Sequence, residues 1–371
     1  MVCTLGCASL IERALNKVVK PPPYHASETA EKLHLSSFVA DLHADSLLWN
    51  RDLLVKSAYG HVDLPRLQEG HVGLQIFTVV SKVPLGVNFE QNTAKYDMIT
   101  LLSILQARPL RTWSSLLQRS LYQGEKLRRL VNESEDSLML ITSRRDLQEL
   151  VDARNRGEPV IGAVLGIEGA HALEGDISNL DLLYDQGLRV LGLCHFFDND
   201  MAGSAHGVKK EGLTKLGRQL ARRALDREML IDLVHASPRA IDDTLALTNR
   251  PVIVSHTGVR GTCDNTRNLS DHHARGIAAS GGLIGIALFE AALGGKEIKD
   301  FVRAVRYVTD LVGVEHVALG SDFDGAETTV VDASGLVCLT DALLAHGFSA
   351  AEIDAILGGN VLRVLRQTLP E

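Results

Sequence analysis

Paired cysteines, runs of basic residues and long hydrophobic stretches are all missing from this chain, and each absence narrows what it does. Cys3, Cys7, Cys194, Cys263 and Cys338 are too few and too scattered for a disulfide framework, and none forms a C-x-x-C pair, so mostly buried thiols are expected. No cluster of Lys and Arg is long enough to track phosphates, and a net charge of −8 argues against a nucleic-acid surface. Small substrates fit better than polyanions. The first eleven residues, MVCTLGCASLI, are apolar but lack a basic leader and are shorter than a signal peptide or membrane span. With no complete signal peptide or anchor legible, the cytoplasm is the default compartment, and export or tethering is the alternative if the N-terminus has been trimmed. Internal repeats and low-complexity segments are also missing.

What remains is the ordinary composition of a globular protein, 45% hydrophobic and 23% charged over 371 residues. Short β-rich apolar runs alternate with helical patterns at 38–42, 72–80, 160–166, 190–193, 230–233, 252–255, 283–287 and 316–320. Several, such as VIGAVLG and PVIVS, show no polar alternation, as expected of strands covered on both faces. Eight such units predict an α/β fold, a (β/α)8 TIM barrel. The expected organisation is an N-terminal helix and proline linker over 1–36, then a single barrel over 37–371 with a helical insertion near 89–150. An amphipathic helix is expected over 213–228, with Ser237 capping the next helix and Ser349 with Glu352 boxing the last.

Chemistry-bearing residues gather where these runs end. In DLHADS, His43 and Asp45 stand two apart, which on extended backbone turns both to one side and lets them grip one divalent ion. An H-x-D pair alone favours a solvated turn. Glu168 in VLGIEGAH leaves an apolar strand, and an ionised carboxylate delivered that way calls for a cation nearby. His195, His235 and His256 then follow three consecutive strands. A single such histidine is more often a packed core residue, but three in succession around one barrel mouth are hard to assign to packing. Asp322 in VALGSDFDG follows the last strand and can accept a proton from an activated water, whereas Asp324 before Gly325 reads as a turn former. Arg267 or Arg260 could clamp a substrate carboxylate, and position alone does not separate them.

Taken in order, DLHADSLLW, GIEGAHAL, GLTKLGRQLARRALDREMLIDLVHAS, PVIVSHT, HVALGSDFDG and GGNVLRVL resemble the membrane (renal) dipeptidase family of zinc peptidases, among the amidohydrolase-like barrels. The resemblance implies two Zn2+ or similar ions, the first held by His43 and Asp45, the second by His235 and His256, with Glu168 bridging. It places the family's substrate-facing histidine on His195, its carboxylate-binding arginine on Arg267 rather than Arg260, and its catalytic aspartate on Asp322. It implies hydrolysis of small dipeptides, including those with a D-residue on the carboxyl side, through hydroxide attack on the amide carbon. An N-acyl amino acid deacylase using the same site and a catalytically silent binding barrel are the alternatives. The segment HFFDNDMAGSAHG resembles bacterial members more than mammalian ones, and no hydrophobic tail of the kind that precedes a lipid anchor is present. Homodimers are common in that family, and these residues do not bear on whether this chain forms one.

Overall fold

A computed structural model describes residues 2–371, with side chains from Gly6 onward. Each apolar run forms a strand: β1 (Val39–Ala44), β2 (Val72–Val80), β3 (Ile161–Glu168), β4 (Leu188–Gly192), β5 (Leu230–Asp232), β6 (Ile253–Thr257), β7 (Leu283–Ile286) and β8 (Val317–Leu319). All are buried along their whole length, which is why their sequences carry no polar alternation. They pair in parallel in chain order, and β8 returns to β1 through Leu319 opposite Asp41, closing the (β/α)8 barrel. The register of β2 with β3 runs from Leu74 opposite Gly162 to Val80 opposite Glu168, so Glu168 emerges at the mouth beside the end of β2.

Between β2 and β3 the chain forms helices Met98–Leu105, Arg111–Ser114, Leu116–Glu133 and Arg144–Asn155 and a short strand, Leu138–Leu140. That strand pairs with Ile161 to Ala163 before β4 takes over the same edge of β3 at Leu165. The amphipathic helix expected over 213–228 occupies Lys215–Asp226 and starts at Thr214, whose side chain accepts from Gly217 N. Ser237 accepts from Ala240 N at 3.1 Å, and Ser349 and Glu352 cap one another reciprocally.

At the floor of the barrel, Leu42, Leu74, Ile76, Val164, Leu230 and Ile253 pack with Val361 and Leu365 of the C-terminal helix Asn360–Thr368. At the other end, helix Val2–Leu15 is held beside the mouth. Its Glu12 pairs with Arg51 at 2.5 Å, Asn16 Oδ1 accepts from Ala326 N at 2.9 Å, and Lys17–Val18 pair with Thr328–Thr329 beyond β8. No helix among the described residues is long and apolar enough to cross a membrane.

The cysteines correct one expectation. Cys194 is buried, but Cys263 and Cys338 are half-buried and Cys7 is exposed, while Cys3 lies outside the residues whose side chains are described. The N-terminal helix rests on the protein along a stripe of Ala8, Glu12 and the adjoining Asn16, four residues apart, and Cys7 falls off that stripe.

Candidate metal centre

Broken register aims the first candidate ligands. β1 shifts register between Asp41 and Ala44 and β6 between Val254 and Thr257, where His43 and His256 stand. Such irregularities re-aim side chains at barrel rims, and here the two imidazole centroids come to 3.8 Å. Asp45 does not continue the extended strand: at φ −93° and ψ 24° it opens a 3-10 turn. Its Oδ1 nevertheless lies 3.4 Å from His43 Nε2, so the pair expected from spacing forms through a turn instead of through strand alternation.

His235 and Asp322 take left-handed backbone, at φ 60° and 61°. That conformation costs a residue with a side chain roughly 1–2 kcal/mol. Ala205 N donates to His235 O at 2.8 Å and Gly325 N to Asp322 O at 3.2 Å, helping to hold both turns. β5 ends at Asp232, so this turn, not the strand itself, brings His235 inward.

Glu168 stands at the centre of the cluster. Its Oε1 lies 3.0 Å from His235 Nε2, 3.5 Å from His256 Nε2 and 3.9 Å from His43 Nε2, while Oε2 lies 3.1 Å from His195 Nε2. Asp322 Oδ2 is 3.9 Å from His256 Nε2. Three overlapping trios result, His43 with Glu168 and His256, Glu168 with His195 and His235, and His43 with Asp45 and Asp322, each with ligand atoms within 4.8 Å. The candidates drawn from six different strand ends therefore converge.

Arg267 completes the set, buried, with Nη2 donating to His256 O at 2.9 Å and its guanidinium 5.6 Å from the centre of the Phe289 ring. Arg260 is exposed, donates from Nε to Asn268 O at 3.1 Å and lines, with Arg267 and His235, a second cavity of about 280 Å³, but it does not reach the cavity over Glu168 that Arg267 also lines. Geometry thus separates two arginines that spacing left tied.

Burial dominates the electrostatics. It pushes Glu168 up to about 8, with Asp45 adding to the rise, and pushes Asp322 well above the usual carboxylate range. It pushes His195, His235 and His256 well below the usual imidazole value. Burial also opposes charge on His43, but Asp45, Glu168 and Asp322 around it hold its imidazole up to about 10. Buried carboxylates of this density need protons or cations as partners. His235 Nδ1 is in addition buried without a partner among the described residues. Imidazoles and carboxylates without a thiolate suit zinc or a similar divalent ion, and the residues present fit one.

The profile of the membrane dipeptidase family (peptidase family M19) matches residues 27–369. The chain belongs to this family. Among curated relatives, dipeptidase aclJ of Aspergillus oryzae is 27% identical over 349 residues, covering 88% of this chain and 77% of that protein. The probable dipeptidase PvdM of Pseudomonas aeruginosa superposes with a TM-score of 0.77 at 21% identity, over 92% of this chain and 98% of that one. A metallo peptidase of Rhodobacter sphaeroides, solved with a phosphinate mimic of the dipeptide L-Ala-D-Ala, gives a TM-score of 0.73 at 23% identity, over 90% and 100%. This member is a metallo-dipeptidase, a hydrolase of peptide bonds.

Several residues of this dipeptidase's site carry no sequence motif. Thr78 Oγ1 on β2 donates to Asp45 Oδ1 at 2.5 Å and stands 3.2 Å from His43 Nε2. Ser255 Oγ lies 3.2 Å from His43 Nδ1 and 3.1 Å from His256 Nδ1. Asp232, at the end of β5, accepts from Ser255 N at 2.9 Å and Val234 N at 3.0 Å. Only Asp232 had a legible signal, an acid closing an apolar strand. Asp324 corrects the reading of a simple turn former: although its φ is 61°, it is buried, accepts from Ser46 Oγ at 2.6 Å and His61 N at 2.7 Å, and pairs with Arg51.

Proposed function

We propose that this dipeptidase works with two divalent ions, zinc or similar, His43 and Asp45 holding one, His235 and His256 the other, and Glu168 shared between them. The observation that carries the reading is Glu168 itself, a buried carboxylate whose Oε1 lies within 3.9 Å of His43, His235 and His256 alike while Oε2 faces His195. Such ions supply Lewis acidity at the scissile carbonyl and lower the pKa of water towards neutrality.

The remaining steps belong to the chain's own side chains. His195, kept neutral by burial, donates to the oxyanion that develops on the amide carbonyl. Asp322, 3.9 Å from His256 at the same mouth, takes the proton of the attacking water and passes it to the leaving amine. Arg267 clamps the substrate's terminal carboxylate, which restricts substrates to short ones because a longer chain places that charge elsewhere.

Elemental analysis combined with a matrix of L,L and L,D dipeptides and N-acyl amino acids tests this. Two metals per chain and dipeptide turnover are expected. Full activity at one metal per chain would remove the bridging role of Glu168, and turnover confined to acylated substrates would make the protein a deacylase. A metal-replete protein that hydrolyses nothing in the matrix would be a silent barrel.

A further inference from the structure

The cavity over the metal centre measures about 560 Å³ and reaches from Glu168, His195 and Arg267 out to an apolar rim. Its near wall is Leu48, Trp49 and Val80, packed with Ile99 and Leu102 of the insertion and Ala8 of the N-terminal helix. Further out, Ile11, Leu15, Leu85, Val87, Met98 and Leu101 line it while each leaves 37% or more of its surface to solvent. These are six of the fifteen exposed large hydrophobic side chains among the described residues, gathered at one opening. Exposed apolar surface concentrated in this way marks an interaction site, not ordinary scatter, and its continuity with the cavity over Glu168 makes it part of the substrate's path.

The rim is firmly built. Glu12, nearly fully buried, pairs with Arg51, and Arg51 pairs with Asp324 on the loop that carries Asp322. Its position on the ring also decides what it meets. The near wall stands over the ends of β1 and β2, whereas Arg267 follows β6 and the Phe289 beneath it follows β7; the outer rim at Leu85 and Val87 runs on to Phe89, which packs against Phe289 and accepts from Thr266 Oγ1 at 2.7 Å. A substrate with its carboxylate at Arg267 and its scissile carbonyl at Glu168 therefore sends its other end to the rim.

We infer that the rim is a subsite for a large apolar group on the acyl side of the scissile amide. Preferred substrates are accordingly dipeptides with a bulky apolar amino-terminal residue, or amino acids bearing an apolar acyl chain. A glycyl dipeptide leaves most of the cavity unfilled. The inference rests on the proposed placement of the carboxylate and carbonyl, and adds to it the identity of the opposite end.

The test uses the metal-loaded full chain with Gly-Ala, Leu-Ala, Phe-Ala and N-octanoyl-alanine, each with L- and D-alanine. kcat/KM should rise by at least about tenfold from Gly-Ala to Phe-Ala, the size of effect that a few methylenes produce in an apolar pocket. The octanoyl arm shows whether a side chain or an acyl chain is the better occupant. Leu101→Gln combined with Leu15→Gln, both at solvent-facing positions, should shrink the Phe-Ala to Gly-Ala ratio by at least about fivefold. A ratio that is flat or inverted in the unaltered protein overturns the inference. If nothing is hydrolysed, calorimetric binding of phosphinate dipeptide mimics with a methyl or a benzyl group on the amino side decides. Tighter binding of the benzyl mimic keeps the subsite while the dipeptidase mechanism falls, and equal binding overturns the subsite.

Discussion

The floor and the mouth of this barrel are built from the same strands with opposite materials. At the floor, Leu74 and Ile76 of β2 and Ile253 of β6 pack in one buried apolar cluster with the C-terminal helix. Further along, β2 offers Thr78 and β6 offers His256, in a cluster of buried acids and imidazoles whose protonation is displaced from ordinary values. The floor is therefore optimised for the folded state by itself, whereas the mouth is arranged for something the chain does not contain. Left-handed backbone at His235 and Asp322 belongs to the same bargain, local strain retained where function needs a side chain aimed.

Substitutions at the two ends should consequently separate activity from stability. The largest effect is expected for Glu168→Gln, which should lower kcat/KM by more than ~10³-fold, beyond the ~10–100-fold typical of residues that only support ligands. Elemental analysis should find less than the full metal content, and a fully loaded, active variant would show that Glu168 is not shared. Asp322→Asn should cost about 10²–10⁴-fold in kcat at unchanged metal content, the range of a general acid–base. Denaturant unfolding of the metal-free protein should show no loss of stability for Asp322→Asn, because the amide replaces a carboxyl that burial already disfavours in its charged form.

At the floor the pattern should reverse. Leu74→Ala or Ile253→Ala should lower unfolding free energy by about 2–5 kcal/mol while metal-loaded kcat/KM stays within about threefold. A floor variant that kept its stability but lost turnover would break the division of labour between the two ends.

The mildest effect concerns pH. Without cations, Glu168, pushed up to about 8, and His43, held up to about 10, carry protons at neutral pH, and both must release them to bind a metal. Apparent metal affinity should therefore rise with pH from neutrality, by up to about tenfold per unit for each proton released, and level off above about 10. Calorimetry in buffers of different ionisation enthalpy reads that release directly, and metal binding without proton release would count against these two ligands.

The sequence by itself determined the eight barrel strands, the helix starts at Ser237 and Ser349, and which histidines and acids stand at the strand ends. Strands buried on both faces must be continuously apolar, as VIGAVLG and PVIVS are, and caps such as Ser237 act over three residues, so both are written locally. Histidines and acids at successive strand ends were legible for the same reason, since a barrel converts order along the chain into a ring. Only the tertiary structure decided which groups meet across that ring. Ser255 reaches His43 from 212 residues away, and Arg51 reaches Asp324 from 273, separations over which no local pattern carries information. The burial of Arg267 where Arg260 stays exposed, and the docking of the N-terminal helix beside the mouth, likewise depend on surfaces that exist only once the barrel has closed.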